Sequence, residues 1–346
     1  MAFVEVDGSQ GEGGGQILRT AVAFSAIKRV PVRVVKIRAG REVPGLKRQH
    51  LSALLTLARI FGGELSGAEE GSSAVSFVPG KPRLQELAID MGTAASITLV
   101  LQAVVPAVSL SGSKLSLGLT GGTDVPWSPT FDYFQRVVRE GYRSMGIKVD
   151  VTSSRRGYYP RGGGRVTASI EPCESVLPLD MTSRSEVTGV RLLSRCAKLP
   201  RGVAERQMAS ASEIISRSGM HIEAADVSEE QADSPGSSIL AYSVGAHALL
   251  GSDAIGAKGK PAEEVGREAA SRFVAMARSG GCLDSNLADM LVPLLALAPG
   301  PSRVRVPEVT PHLQSGLHLA EQFVQFEWSV ESEGGSALVT LRPKGT

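Results

Sequence analysis

The feature that most constrains this chain is a unit of secondary structure that recurs along its 346 residues. In each copy, hydrophobic periodicity predicts a buried helix, a strand, a loop, an amphipathic helix and then two strands. The three copies begin at "GGGQILRTAVAFSAI", "GTAASITLVLQAVVPAV" and "SNLADMLVPLLALA". Sheets with one apolar face need helices to cover them, so the recurrence predicts a pseudo-threefold body whose units bury their helices against one another.

A segment between the second and third copies fits none of them. Over residues 186–278 the pattern is strand, helix, strand, hairpin, helix, which predicts a smaller α/β domain inserted at a surface loop. The predicted fold class is therefore α+β, with mixed α/β character. We assign the body to residues 1–185 and 279–346, with repeats of about 1–80, 86–173 and 279–346.

The charge balance restricts how this chain could meet a polyanion. The formal net charge is +2, which excludes a globally basic surface for nucleic acid, so any polyanion must meet a local patch. Such an excess occurs in the first 50 residues, which carry nine Lys or Arg against four acids. Scattered surface cations are the ordinary explanation, and a phosphate-binding patch is the functional one.

Cysteine usage and the N-terminus favour a cytoplasmic protein. Cys173, Cys196 and Cys282 are odd in number, far apart and without a CxxC motif, so they predict neither a disulfide framework nor a zinc site. The opening "MAFVEVDG" lacks the regions of a signal peptide. The longest apolar stretch, "ITLVLQAVVPAVSL", is too short for a membrane span and predicts a buried helix.

A glycine-rich loop precedes the first helix. The stretch "DGSQGEGGGQILRTAVAFS", residues 7–25, places five glycines around one acid, Glu12, with Gln16 and Arg19 on the turns behind. Glycines let a backbone approach a ligand closely, and a helix N-terminus attracts anions. A tight turn that caps a buried helix is the alternative. The spacing matches neither GxxxxGK[ST] nor GxGxxG, so the loop alone does not predict nucleotide binding.

A second glycine cluster, "RGYYPRGGGRV", covers residues 156–166. Arginines at 155, 156, 161 and 165 alternate there with Tyr158 and Tyr159. Guanidinium groups suit phosphates and aromatic faces suit bases, which indicates a surface for single-stranded nucleic acid. A hairpin turn with a basic rim explains the same residues, and both interpretations stay open.

Among the five histidines, one lies where catalysis is possible. His312 and His318 are six residues apart on one predicted helix and so cannot face one ligand as a metal pair. We interpret His318 as a surface or packing residue, and His221 and His247 as structural. His312 follows Pro311 at a helix start, where its ring would face a cleft lined by loops. A catalytic and a structural role both fit this pattern.

Several long blocks together resemble the RNA 3'-terminal phosphate cyclase family, in that family's order and over essentially the whole chain. They are "DGSQGEGGGQILRTA", "IRAGREVPGLKRQH", "TLVLQ", "GGTDVPWSPTFDY", "RGYYPRGGGRV", "NLADMLVPLLAL" and "TPHLQSGLHLAEQF". The resemblance implies a body of three repeats of a two-helix, four-stranded unit, similar in architecture to the enolpyruvyl transferases, with a smaller α/β insert.

The resemblance also implies an activity. Cyclases of this family use ATP to convert an RNA 3'-phosphate into a 2',3'-cyclic phosphodiester, through a covalent histidine–AMP and an RNA-pp-A intermediate. His312, in "HLQSGLHLAEQF", aligns with the family's nucleophile and favours the catalytic branch. The alternatives are a non-catalytic RNA-binding relative that acts in ribosome assembly and an enolpyruvyl-type transferase.

The remaining site residues are implied by the same blocks. The positions that match the family's ATP and phosphate contacts are Arg19, Arg38, Arg41, Gln49, His50, Gln102, Pro129, Tyr133 and Asp289. Glu12 would hold a divalent metal, Mg²⁺ or Mn²⁺, against phosphate oxygens. The expected partners are ATP and RNA 3'-phosphate ends. Neither a membrane nor a stable protein partner is implied.

Overall fold

The computed structural model describes residues 2–11, 14–82 and 84–344. Its helices in that part of the chain are α1 (Gly15–Lys28), α2 (Arg48–Phe61), α3 (Ile97–Leu110), α4 (Phe131–Tyr133), α5 (Arg139–Ser144), α6 (Gly202–Arg217), α7 (Ala262–Arg278), α8 (Ser285–Leu297) and α9 (Pro311–Ala320). A π-helical turn, Phe134–Val138, joins α4 to α5.

Strands of the described ranges form four-stranded sheets. They are β1 (Val4–Asp7), β2 (Val32–Val35), β3 (Glu64–Ser66), β4 (Val75–Val78), β5 (Glu86–Asp90), β6 (Leu115–Gly121), β7 (Val149–Arg155), β8 (Gly164–Ile170), β9 (Asp180–Met181), β10 (Gly189–Ala197), β11 (His221–Glu229), β12 (Gly236–Gly245), β13 (Ala248–Ile255), β14 (Ser302–Val306), β15 (Phe326–Glu333) and β16 (Ser336–Pro343). Helices and mixed sheets together confirm the predicted α+β class.

Three sheets share one pairing pattern. Their strand orders are β1-β2-β4-β3, β5-β6-β8-β7 and β9-β14-β16-β15. In each order the first pair is parallel and the next two pairs are antiparallel. The third sheet takes its edge strand, β9, from residues 180–181, which lie outside the range of 279–346 predicted for the third repeat. That parallel edge strand is very short and gave no periodic signal.

The segment 186–278 contains the fourth sheet, of strand order β11-β10-β12-β13. Its element order is strand, helix, strand, hairpin, helix, as the sequence indicates. Along β10 and β12, successive side chains enter two different hydrophobic cores. Leu192 and Ile239 join the core beneath α6 and α7, whereas Leu193, Leu240 and Tyr242 join the main core of the molecule. At β10 and β12 the sheet is therefore covered by helices on one face and by the main core on the other.

The main core is built from helices that pack on one another between the sheets. Helix α1 contacts α2, α3 and α9, while α8 contacts α3 and α9. Helix α3 is apolar on nearly every side, because neighbours surround it. None of the described helices combines the length and hydropathy that a membrane crossing needs.

Candidate active site

The glycine-rich loop lies against the first turn of α9. Gly11 has a φ of +57°, and a methyl group added to it would come 2.7 Å from Ser315 Cβ. Across the same contact, Gln16 Nε2 donates to the carbonyl oxygen of His312 over 3.5 Å. The absence of a side chain at Gly11 therefore lets the loop approach the turn that carries His312.

Glycines also bring α1 close to α2. An added methyl group on Gly15 would collide with the ring of His50, and it would lie 2.9 Å from Arg19 Nη1. The N-cap of α1 is Gly14, and no described side chain caps the helix there. Free N–H groups at a helix start carry partial positive charge and bind anions. The start of α1 is therefore open to an anion and flanked by His50 and Arg19.

Arg19 strengthens this positive field. Its side chain is half-buried, and it makes no ion pair with any residue that the structure describes. Burial of the guanidinium lowers the pKa of Arg19 to about 10, so the group still carries its charge at neutral pH. A desolvated, uncompensated cation of this kind stabilises a bound phosphate.

His50 is held neutral by the same surroundings. Burial lowers the pKa of its imidazole to about 3, and the nearby charges of Arg19, Arg38 and Lys47 lower it further. The backbone N–H of Lys47 donates to Nδ1 over 3.4 Å, and the side chain of Gln49 lies 3.4 Å from Nε2. The structure therefore places Gln49 and His50, both on the first turn of α2, at the start of α1.

Arg38 and Arg41 lie in the loop that follows β2. Arg38 is buried, and its Nη1 donates to the carbonyl oxygens of Val43 and Gly45 over 2.8 and 3.2 Å. Burial and the charge of Arg41 lower the pKa of Arg38. Arg41 Nη2 lies 3.8 Å from the position that a methyl group on Gly14 would occupy. Arg38 thus shapes the loop, and Arg41 reaches the glycines.

His312 is positioned by a hydrogen-bonded chain at the start of α9. Thr310 is the N-cap, and its Oγ1 accepts from the N–H of Leu313 over 2.8 Å. The same hydroxyl donates to Asp289 Oδ1 on α8 over 2.6 Å. Asp289 therefore anchors the helix turn that carries His312, whose side chain is half-buried. The Thr-Pro pair signals the start of α9 in the sequence, whereas the bond from Thr310 to Asp289 depends on tertiary packing.

Arg19 and Gln102 line one small cavity between α1, α3 and α8. Pro106 and Pro293, each inside a helix, border it as well. A proline within a helix removes the N–H that would bond the carbonyl four residues earlier. Here those carbonyls belong to Gln102 and Asp289, so two site positions coincide with freed backbone acceptors.

Pro129 and Tyr133 differ in exposure. The carbonyl of Pro129 accepts from Thr98 Oγ1 over 2.8 Å, and its ring is half-buried. Tyr133 is only 1% exposed, and its hydroxyl donates to Asp284 Oδ1 over 2.7 Å. Burial raises the pKa of that Asp284 carboxyl to about 7. The structure does not bring the ring of Tyr133 to the surface, and its role in nucleotide binding stays a prediction.

Part of the interpretation of the second glycine cluster as a nucleic-acid surface is wrong. Arg156 is buried and pairs with Asp132 over 2.8 Å and with Asp124 over 3.4 Å. Arg155 pairs with Asp233, and Tyr158 is buried. The sequence could not show that acids from distant segments neutralise these arginines. Tyr159, Arg161 and Arg165 remain exposed.

The predicted metal ligand, Glu12, lies outside the described residues. Within residues 2–11, 14–82 and 84–344, no group of His, Cys, Asp and Glu side chains could hold a metal by itself. The other histidines are peripheral. His318 is exposed and contacts Glu321 and Trp328, which confirms the interpretation as a surface or packing residue. His221 and His247 are exposed, so neither is a core residue.

Comparison with known proteins identifies the family. The sequence profile described as RNA 3'-terminal phosphate cyclase matches residues 10–330. Proteins named RNA 3'-terminal phosphate cyclase are 43% identical in Methanopyrus kandleri, over the full length of both chains, and 43% in Thermococcus kodakarensis, over 97% of this chain and 96% of the other. A third, from Caldivirga maquilingensis, is 38% identical over 99% and 98%.

The chain belongs to the RNA 3'-terminal phosphate cyclase family, as its sequence blocks predicted, and it is an enzyme of that family. Among solved structures, EPSP synthase from Acinetobacter baumannii is 13% identical and covers 99% of this chain and 65% of its own, with a TM-score of 0.30. A similarity at that level supports no conclusion about function.

Proposed function

We propose that this protein is an ATP-dependent RNA 3'-terminal phosphate cyclase. It would convert an RNA 3'-phosphate into a 2',3'-cyclic phosphodiester and release AMP and pyrophosphate. One observation carries the proposal: the glycine-lined start of α1, with Arg19 paired to none of the described carboxylates, packs against the turn of α9 that carries His312. This packing supports a site in which the imidazole of His312 would stand beside a bound anion, as nucleotidyl transfer through histidine requires.

Three steps account for the chemistry. A ring nitrogen of His312 attacks the α-phosphorus of ATP, a P–N bond forms, and the P–O bond to pyrophosphate breaks. The RNA 3'-phosphate then attacks the same phosphorus, which transfers AMP and frees the imidazole, leaving RNA-pp-A. The adjacent ribose 2'-OH loses its proton and attacks the activated RNA phosphorus, and AMP leaves as the ring closes. Each step is an in-line displacement at phosphorus.

Residues around the N-terminus of α1 would stabilise the negative charge of the phosphates. Arg19 and Arg41, near Gly15 and Gly14, would neutralise phosphate oxygens. His50 stays neutral and can donate a hydrogen bond without adding charge. Arg38 would act through the loop that it binds, and Gln49 and Gln102 as polar contacts.

A divalent metal, Mg²⁺ or Mn²⁺, would be held by the carboxylate of Glu12 together with phosphate oxygens. Hard cations prefer such oxygen ligands, and a metal of this type supplies charge neutralisation at phosphorus.

The adenosine would pack near Pro129, with Tyr133 beneath that surface and Asp289 as a polar neighbour. Thr98 on α3 donates to the Pro129 carbonyl, and Gln102 lies one turn later on the same face of the helix. Because Gln102 lines a cavity with Arg19, the surface at Pro129 lies near the proposed phosphate-binding residues. The bond between Asp289 and Thr310 gives Asp289 a second role in positioning α9.

We infer the same domain organisation that the sequence predicts. Three sheets with one pairing pattern support three copies of a unit in 1–185 and 279–346. Arg19, Gln102 and Asp289 support it too, since each stands five or six residues after the N-cap of α1, α3 or α8. The segment 186–278, with a sheet and core of its own, would be the insert. The three reduced, buried cysteines agree with a cytoplasmic location.

The test is incubation with ATP, Mg²⁺ or Mn²⁺ and a 3'-phosphorylated RNA oligonucleotide. We expect the terminal phosphate to become resistant to phosphatase with the wild-type protein and to stay sensitive with His312→Ala. His318→Ala, on the same helix but exposed, should retain the activity. A chain that binds the RNA and leaves its end phosphatase-sensitive would instead be a non-catalytic relative.

A further inference from the structure

Two aromatic side chains stand out on the surface. Trp127 is 95% exposed and Tyr159 is 69% exposed, the highest values for large hydrophobic residues in the described part of the chain. Trp127 also has a φ of +66°, in the left-handed region that favours glycine. The indole of Trp127 is therefore almost fully solvated while its backbone holds a conformation that is unfavourable for a residue with a side chain. Unfavourable backbone conformations of this kind cluster at ligand-binding sites.

The two side chains lie on adjacent loops. Asp124 and Tyr158 form a parallel β-bridge. The two loops that follow these residues therefore start side by side and run in the same direction. Trp127 stands near the tip of the first loop, where Ser128 Oγ donates back to the carbonyl of Val125 over 2.9 Å. Tyr159 lies in the second loop, which Gly162 closes by donating to the carbonyl of Tyr158 over 2.9 Å.

This aromatic pair is accompanied by positive charge. Arg161 shares the loop of Tyr159, and Arg165 follows on β8; both are exposed and pair with no carboxylate among the described residues. The nearby Asp233 is already neutralised by Arg155. Two exposed rings next to uncompensated guanidinium groups are complementary to the bases and phosphates of a single strand.

The same loop borders the predicted phosphate cleft. Trp127 precedes Pro129 by two residues, and the carbonyl of Pro129 is bound by Thr98. Gln102, which lines a cavity with Arg19, lies one turn further along α3. These lengths place Trp127 within roughly 20 Å of the cleft, a distance that a few nucleotides span.

We propose that Trp127, Tyr159 and Arg161 form a platform for the single-stranded RNA on the 5' side of the terminal phosphate. Bases stack on the two rings, and Arg161 contacts the backbone. The choice of RNA as the occupant rests on the proposed function. Every base has a π-face, so the platform binds without reading sequence.

Binding is measured first, apart from any reaction. The chain has two tryptophans, so Trp328→Phe leaves Trp127 as the single indole reporter. We expect an unphosphorylated RNA of about ten nucleotides to quench its fluorescence. Arg161→Ala should reduce the slope of log affinity against log salt by about 0.7, the value for one phosphate contact on a single strand. Arg342→Ala, also exposed but on β16, is the matched control.

Kinetics then separate the platform from the catalytic centre. Trp127→Gly suits the positive φ, so it should keep the melting temperature while the KM for the RNA of about ten nucleotides rises roughly fivefold or more. Trp127→Phe should restore most of the affinity. Adenylylation by ATP alone and turnover of a dinucleotide 3'-phosphate should not change.

The outcomes are distinct from those that test the proposed function. Quenching by RNA without cyclisation would uphold the platform and overturn the proposed activity. Absence of quenching, or equal KM values for wild type and Trp127→Gly, would overturn the platform even if cyclisation proceeds. So would self-association of the wild type that Trp127→Gly abolishes with RNA binding unchanged, because a second copy would then be the occupant.

Discussion

The surroundings of His50 lower the pKa of its imidazole. Its ring is buried, and its pKa of about 3 lies far below the usual value near 6.5. Between those two values the unfolded chain binds a proton that the folded chain does not. The free energy of unfolding should therefore fall as pH drops through this window, by about 2 kcal/mol between pH 7 and pH 5.

Urea unfolding at several pH values measures this contribution. His50→Gln cannot titrate, so we expect its stability to decline less between pH 7 and pH 5 than that of the wild type. His318→Gln, at an exposed position, should follow the wild-type profile. Parallel profiles for the wild type and His50→Gln would show that the ring is not held neutral by its surroundings.

Residue types alone did not separate the functional arginines from the structural ones. Arg19 and Arg156 both stand near glycine clusters, yet Arg156 is neutralised by Asp124 and Asp132 while Arg19 meets no described carboxylate. The partners of Arg156 lie 24 and 32 residues earlier in sequence, Asp132 in α4 and Asp124 in the loop before it. Such pairing depends on tertiary contacts, which a pattern along the chain does not encode.

At the level of elements, the start of α9 is the most sensitive point. Thr310→Val removes the N-cap acceptor for Leu313 and leaves Asp289 without the hydroxyl donor that it now has. Loss of the N-cap costs about 1 kcal/mol of stability, and loss of the hydrogen bond to the buried carboxylate adds about 1–3 kcal/mol. We expect lower stability by roughly that sum, and slower adenylylation because His312 occupies the same turn.

Thr310→Ser keeps the hydroxyl and is the control, with near-wild-type stability and rate. Chemical denaturation and single-turnover labelling with ATP measure the two effects. If Thr310→Val were as stable and as fast as the wild type, the chain from Asp289 to α9 would not position His312.

Most helices and the hairpins could be predicted from periodicity and capping residues, because their signals are local. The edge strands β1, β5 and β9 are two to five residues long and alternate poorly, so the pattern missed them. The exposed turn at Trp127 was also missed as a site. A tryptophan at positive φ is unusual, and sequence gives no dihedral angle.

At the scale of the whole molecule, the candidate site lies where helices that cover different sheets contact one another. Helix α1, which carries Arg19, contacts both α2, which carries His50, and α9, which carries His312, although the three residues are far apart in sequence. Sequence blocks could indicate these residues through their resemblance to a family. They could not show that Gly11 and Gly15 are the points of close approach, since that depends on how the helices pack.

The segment 186–278 illustrates a second limit at this scale. The order of its helices and strands could be predicted from the sequence, but the way its sheet packs on the rest of the chain could not. Alternate residues of β10 and β12 enter the main core, so the sheet is shared between two layers. A periodic pattern predicts that a face is apolar and does not say which surface covers it.

The central claim is that the imidazole of His312 accepts adenylate beside the glycine-lined start of α1. Mass spectrometry of the protein after incubation with ATP and Mg²⁺ or Mn²⁺, followed by peptide mapping without acid, tests it most directly. We expect one adenylate per chain, on the peptide that contains His312, and none in His312→Ala. An adenylate on another residue, or one that persists in His312→Ala, would contradict the account.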